Sequence, residues 1–162
     1  MTAQIFDARI CELGEGAFWH PERAQPFWFD ILGRRLMSQR DGAPLEWQFD
    51  EMVSAAGWID RDHLLIASET ALLRFDLRSG HARKLVALEP DRPGNRSNDG
   101  RADPWGGFWI GTMSRRAEPG QGAIYRYFAG ELRQLRAGLS IPNAICFAPD
   151  GRLAYFSDTA AQ

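Results

Sequence analysis

Cysteine is scarce in this chain, and the two present do not sit together. Cys11 and Cys146 are far apart and form no CxxC pair, so neither a zinc ribbon nor a disulfide framework is indicated. No uninterrupted apolar stretch approaches the length of a membrane span. The first ten residues contain Asp7 and Arg9 and lack the apolar core of a signal peptide. There is no excess of charge of one sign. With a formal net charge of −2, the chain has no basic surplus to neutralise phosphates, which argues against a nucleic-acid partner. These absences predict a cytoplasmic protein with reduced thiols, without nucleic-acid or membrane partners. A sustained helical period is missing too, because proline and glycine interrupt every candidate segment.

What the sequence has instead is a repeat. Glu15-Gly-Ala-Phe-Trp-His-Pro21, Asn98-Asp-Gly-Arg-Ala-Asp-Pro104 and Asn143-Ala-Ile-Cys-Phe-Ala-Pro149 each run from a polar residue to a proline six positions on. Ser54-Ala-Ala-Gly-Trp-Ile-Asp60 fits the same register with Asp60 in the proline's place. The registers begin at 15, 54, 98 and 143, spacings of 39, 44 and 45.

A turn signal and a short β-rich run come after each register: Phe27–Phe29, Leu64–Ile66, Phe108–Ile110 and Leu153–Phe156. Third runs fall at Arg35–Met37, Ala71–Phe75 and Ala123–Tyr127, and fourth runs at Pro44–Trp47, Ala82–Val86 and Glu131–Leu135. Four short strands recurring every forty-odd residues are the signature of β-propeller blades. An all-β chain is expected, with residues 1–162 forming the N-terminal three and a half blades of one propeller domain. The expectation is therefore of a truncated chain, whose open strand edges invite self-association.

The first residue of each register opens the innermost strand of its blade, so Glu15, Ser54, Asn98 and Asn143 are expected at one end of the central channel. A carboxylate and two carboxamides converging there form an oxygen-rich set suited to a hard divalent cation. Any one of these residues taken alone reads better as a turn or cap residue.

The sequence resembles the gluconolactonase/regucalcin (senescence marker protein) family, of the bacterial sugar lactonase type. The resemblance rests on Leu13–Trp19, on Asn95-Arg-Ser-Asn-Asp-Gly100 followed by Asp103-Pro104 and Gly111-Thr-Met113, and on Ile141–Ala144 followed by Pro149-Asp-Gly151. It implies a six-bladed propeller and metal-dependent hydrolysis of sugar lactones to aldonic acids, a carboxylic ester hydrolase of the EC 3.1.1 type. By the same resemblance Glu15 and Asn143 are metal ligands, and Arg96 and Asn98 contact the sugar lactone. The general-base aspartate, also a ligand, falls beyond Gln162, so the isolated chain is expected to be inactive. The metal is expected to be one divalent ion, Ca2+ first, with Zn2+, Mn2+ and Mg2+ as alternatives. Competing readings are a calcium-dependent phosphotriesterase or arylesterase-like propeller, and a non-catalytic calcium-binding propeller.

Other residues carry plainer expectations. His20, His63 and His81 share no ligand spacing and read as surface histidines. Trp19, Trp28, Trp58 and Trp109 read as core between blades, and Cys146 as a buried thiol. Arg115 and Arg116, in the loop from Ser114 to Gln121, receive no assignment.

Overall fold

The structure is a computed structural model, and it describes residues 2–161. Its regular elements are all strands, arranged as three four-stranded antiparallel sheets and one two-stranded sheet. Blade 1 holds β1 (Gly14–His20), β2 (Gln25–Asp30), β3 (Arg35–Arg40) and β4 (Ala43–Gln48). Blade 2 holds β5 (Val53–Asp60), β6 (His63–Ser68), β7 (Ala71–Asp76) and β8 (Ala82–Ala87). Blade 3 holds β9 (Asn95–Ala102), β10 (Phe108–Ser114), β11 (Gly122–Phe128) and β12 (Glu131–Leu139). Blade 4 holds β13 (Pro142–Phe147) and β14 (Ala154–Asp158). Every sheet is a meander in chain order, and the first strands of successive blades lie against one another. This is the blade arrangement of a β-propeller, as the repeat predicts. Among the described residues no helix is long and apolar enough to cross a membrane.

Turn chemistry explains why the strands reverse where they do. Asp41-Gly42 and Ala129-Gly130 place two consecutive residues at positive φ, the geometry of tight hairpin turns. Asp60 accepts from the N–H groups of Asp62 and His63, and Asp103 from those of Trp105 and Gly107, so a carboxylate closes each of these bends. Asp103 is further held by Trp109 Nε1 at 3.2 Å and Arg126 Nε at 2.5 Å.

The core lies between blades. Phe27, Phe29 and Leu36 of blade 1 are buried against Val53, Leu64, Ile66 and Phe75 of blade 2. Ala55, Leu65 and Leu72 of blade 2 meet Phe108 and Ile110 of blade 3. Burying each of these phenylalanines contributes roughly 2–3 kcal/mol. Gly16, at φ +61°, lets the inner strands close up: a Cβ there would sit 2.2 Å from the Ser54 carbonyl oxygen on β5.

A second device repeats at the end of the second strand. Asp30 Oδ1 accepts from Glu12, Leu13 and Gly33 N–H groups at 3.0–3.1 Å, and Oδ2 from Arg35 at 2.6 Å. Asp158 accepts from Ser140 and Ile141 N–H groups, both at 2.8 Å. Ser68 and Ser114 occupy the matching places in blades 2 and 3. The aspartate latches therefore lie in blades 1 and 4, just ahead of β1 and β13.

Three expectations are corrected here. His20 is buried, not on the surface: Nε2 faces the Asp60 carbonyl at 3.1 Å and Nδ1 accepts from Arg23 N–H. That pattern fixes a neutral ring with its proton on Nε2, and burial lowers the His20 pKa below its ordinary value. Cys146 is exposed, not buried. Trp19 and Trp58 are exposed rather than core.

Candidate active site

β1, β5, β9 and β13 together wall a cavity of about 620 Å³. Glu15, Asn143, Asp99 and Arg101 line it, with Trp19, Trp58, Ser157 and Thr159. Glu15 and Asn143 hold equivalent places in the ladder. Each is the second residue of its strand and the last pair before a bulge, Glu15 opposite Phe29 and Asn143 opposite Ser157. The structure thus brings these two expected ligands to one space. Among the described residues the Glu15 carboxylate has no hydrogen-bond or ion-pair partner. Asn143 uses only its Nδ2, which donates to Thr159 Oγ1 at 3.4 Å, leaving Oδ1 available.

Asn98 does not share that position. In β9 three pairs precede the bulge, the last being Ser97 opposite Thr112, so Asn98 falls inside it, where β1 has Gly16 and β13 has Ala144. Asn98 is buried and does not line the cavity. Its Nδ2 donates to the Pro142 carbonyl at 3.1 Å, and its Oδ1 accepts from Arg96 Nη1 at 3.0 Å. Ser54, the fourth register residue, is also buried and donates to Ser97 Oγ at 2.7 Å.

Arg96 is buried next to Asn98, and Nη1 also donates to the Ser97 carbonyl at 2.8 Å. Burial lowers its pKa from the ordinary guanidinium value, and the Glu15 carboxylate pulls it back up. Like Asn98, Arg96 does not line the cavity.

Asp99 and Arg101 escape a reading by register, because that reading stops at the first residue of each repeat. Their signal was the alternation of β9 beyond Asn98, which turns charged side chains toward the cavity. Glu89 is another hidden contributor: it is buried at φ +44° and accepts from Asn95 Nδ2, Thr112 Oγ1 and Tyr125 OH at 2.7–2.9 Å. It ties the connection before β9 to β10 and β11. Arg115 pairs with Glu69 of blade 2.

A family model described as the SMP-30/gluconolactonase/LRE-like region matches residues 13–162. The chain belongs to this family. A solved structure of a calcium-binding protein, regucalcin, from Agrobacterium tumefaciens strain C58 superposes with a TM-score of 0.92 at 43% identity, covering 95% of this chain and 53% of that one. An L-arabinolactonase of Azospirillum brasilense is 40% identical over 155 residues, 91% of this chain and 51% of the relative. A 6-deoxy-6-sulfogluconolactonase of Pseudomonas putida is 31% identical over 150 residues, again 91% of this chain. This SMP-30/gluconolactonase chain spans about half the length of the curated relatives it matches.

Proposed function

We propose that these residues form part of the active site of a metal-dependent sugar lactonase. The observation that carries the reading is the pairing of Glu15 and Asn143: equivalent ladder positions of blades 1 and 4, both lining one cavity, both with uncommitted oxygens. A carboxylate and a carboxamide oxygen fit a hard divalent cation, Ca2+ first. Three and a half blades over about half the relatives' length is also the proportion of a six-bladed ring.

When bound, the cation would polarise the lactone carbonyl and stabilise negative charge on its oxygen. Glu15 and Asn143 would hold it, joined by an aspartate outside this chain that also serves as general base for the attacking water. Arg96, with N–H groups beyond Nη1 still uncommitted, would donate to the lactone's oxygens. Asn98 has both amide atoms engaged, which supports a role in orienting Arg96. Trp19 and Trp58 give the cavity apolar walls.

The test is an assay of the full natural polypeptide, with its mass measured. Sugar lactones, aryl esters and organophosphates are compared with and without a chelator, and in Glu15→Gln. Chelator-sensitive lactone turnover that disappears in Glu15→Gln is expected. Preference for aryl esters or organophosphates would favour the esterase reading, and Ca2+ binding without turnover a non-catalytic propeller.

A further inference from the structure

Asp99 and Arg101 both reach from β9 to a single residue of β13. Asp99 Oδ2 accepts from the Ile145 N–H at 2.7 Å, and Arg101 Nε donates to the Ile145 carbonyl at 2.8 Å. Ile145 lies inside the β13 bulge, between the Asn143–Ser157 and Cys146–Tyr155 pairs, so β14 gives it no ladder partner. Its neighbour Ala144 is held at φ +54°, a conformation that costs a side-chain-bearing residue roughly 1–2 kcal/mol. The backbone N–H and C=O that the bulge leaves free at Ile145 are met from β9, outside the sheet of β13. On the other side of Asn143, the Pro142 carbonyl accepts from Asn98 Nδ2 at 3.1 Å. Side chains of β9 therefore grip β13 both before and after Asn143. The β1 bulge has no such grip: among the described residues Ala17, the counterpart of Ile145, takes no side-chain hydrogen bond.

We infer that Asp99 and Arg101 are positioning residues, clamping Ile145 so that Asn143 is held ready for the metal. The inference rests on the reading of Asn143 as a ligand. Asp99 supplies a charge-assisted acceptor and Arg101 a charge-assisted donor, the stronger kinds of hydrogen bond. Groups that orient metal ligands in this way typically contribute 10–100-fold to metal affinity.

The test uses the full natural polypeptide and its Asp99→Ala, Asp99→Asn and Arg101→Met variants. Two readouts are taken: amide hydrogen exchange at Ile145 by NMR, and Ca2+ affinity by calorimetry. Asp99→Ala should speed Ile145 exchange about tenfold or more and weaken Ca2+ binding by about 10–100-fold. Asp99→Asn keeps a carbonyl acceptor and should recover most of both. Arg101→Met, at an exposed side chain, should weaken Ca2+ binding in the same direction and keeps the test open if Asp99→Ala does not fold. Exchange and affinity within twofold of the parent in Asp99→Ala and Arg101→Met would overturn the clamp. So would a loss of affinity with unchanged Ile145 exchange, or an Asp99→Asn variant as impaired as Asp99→Ala. A parent protein that binds no Ca2+ would overturn the metal reading itself, a failure told apart because the exchange measurement needs no metal.

Discussion

Removing the charge of Asp30 should cost this protein stability in a manner that pH can switch off. The carboxylate is fully enclosed, which by itself pushes its pKa up. Arg35 and the N–H groups of Leu13, Gly33 and Glu12 outweigh that burial and bring it down from 3.8 to about 2. A drop of nearly two units corresponds to about 2 kcal/mol at neutral pH. The folded pKa lies below the unfolded one, so the unfolded state takes up protons first as the solution is acidified. The contribution is thus complete above about pH 5 and disappears as pH falls through 3.8 toward 2. Asp30→Asn keeps one acceptor but loses the charge and the Arg35 pairing. Urea unfolding followed by tryptophan fluorescence should show the variant weaker by about 2 kcal/mol at pH 7. The gap should narrow steadily below pH 4 and close near pH 2. A gap that is the same at pH 7 and pH 3 would refute the electrostatic origin, and no gap at pH 7 would refute the latch.

Gly16→Ala should destabilise by roughly 2–4 kcal/mol, combining left-handed backbone strain with overpacking against β5. Gly42→Ala is its control: φ is +78° but nothing lies within 4 Å of the new Cβ, so only about 1–2 kcal/mol should be lost in urea unfolding. Glu89→Ala should cost about 3 kcal/mol or more, because two buried donors and the half-buried Tyr125 hydroxyl lose a charged acceptor at once. In Glu89→Gln the Tyr125 hydroxyl, whose pKa burial and the Glu89 carboxylate together raise, should ionise at lower pH in an ultraviolet titration.

Strand positions and blade count were legible because they depend on local patterns. Short apolar runs bounded by turn signals such as Asp41-Gly42, Gly106-Gly107 and Asp150-Gly151 mark strands locally, and the described strands fall near those runs. The shared position of Glu15 and Asn143 on one cavity was legible too, since their strands share one bulge geometry. Asn98 was misplaced because spacing to a proline cannot reveal how many ladder pairs precede a bulge; pairing with Thr112 on β10 decides that. His20 looked like a turn residue, and its burial depends on Asp60, a residue of the next blade. Trp19 and Trp58 share the spacing of core aromatics but face the cavity, a choice of side set by the bulge in β1 and the irregular pairing of β5. In each miss, the deciding partner lies on another strand.

One added residue in a strand advances the downstream chain by about 3.3 Å and swaps the faces on which its side chains appear. β9 carries an extra pair ahead of its bulge, and in blade 3 Asp99 and Arg101 line the cavity while Asn98 is buried. A protein assembled from duplicated blades can therefore vary its axial chemistry by length as well as by substitution. Two paralogues could spell the same Asn-Asp-Gly and still offer a ligand different atoms.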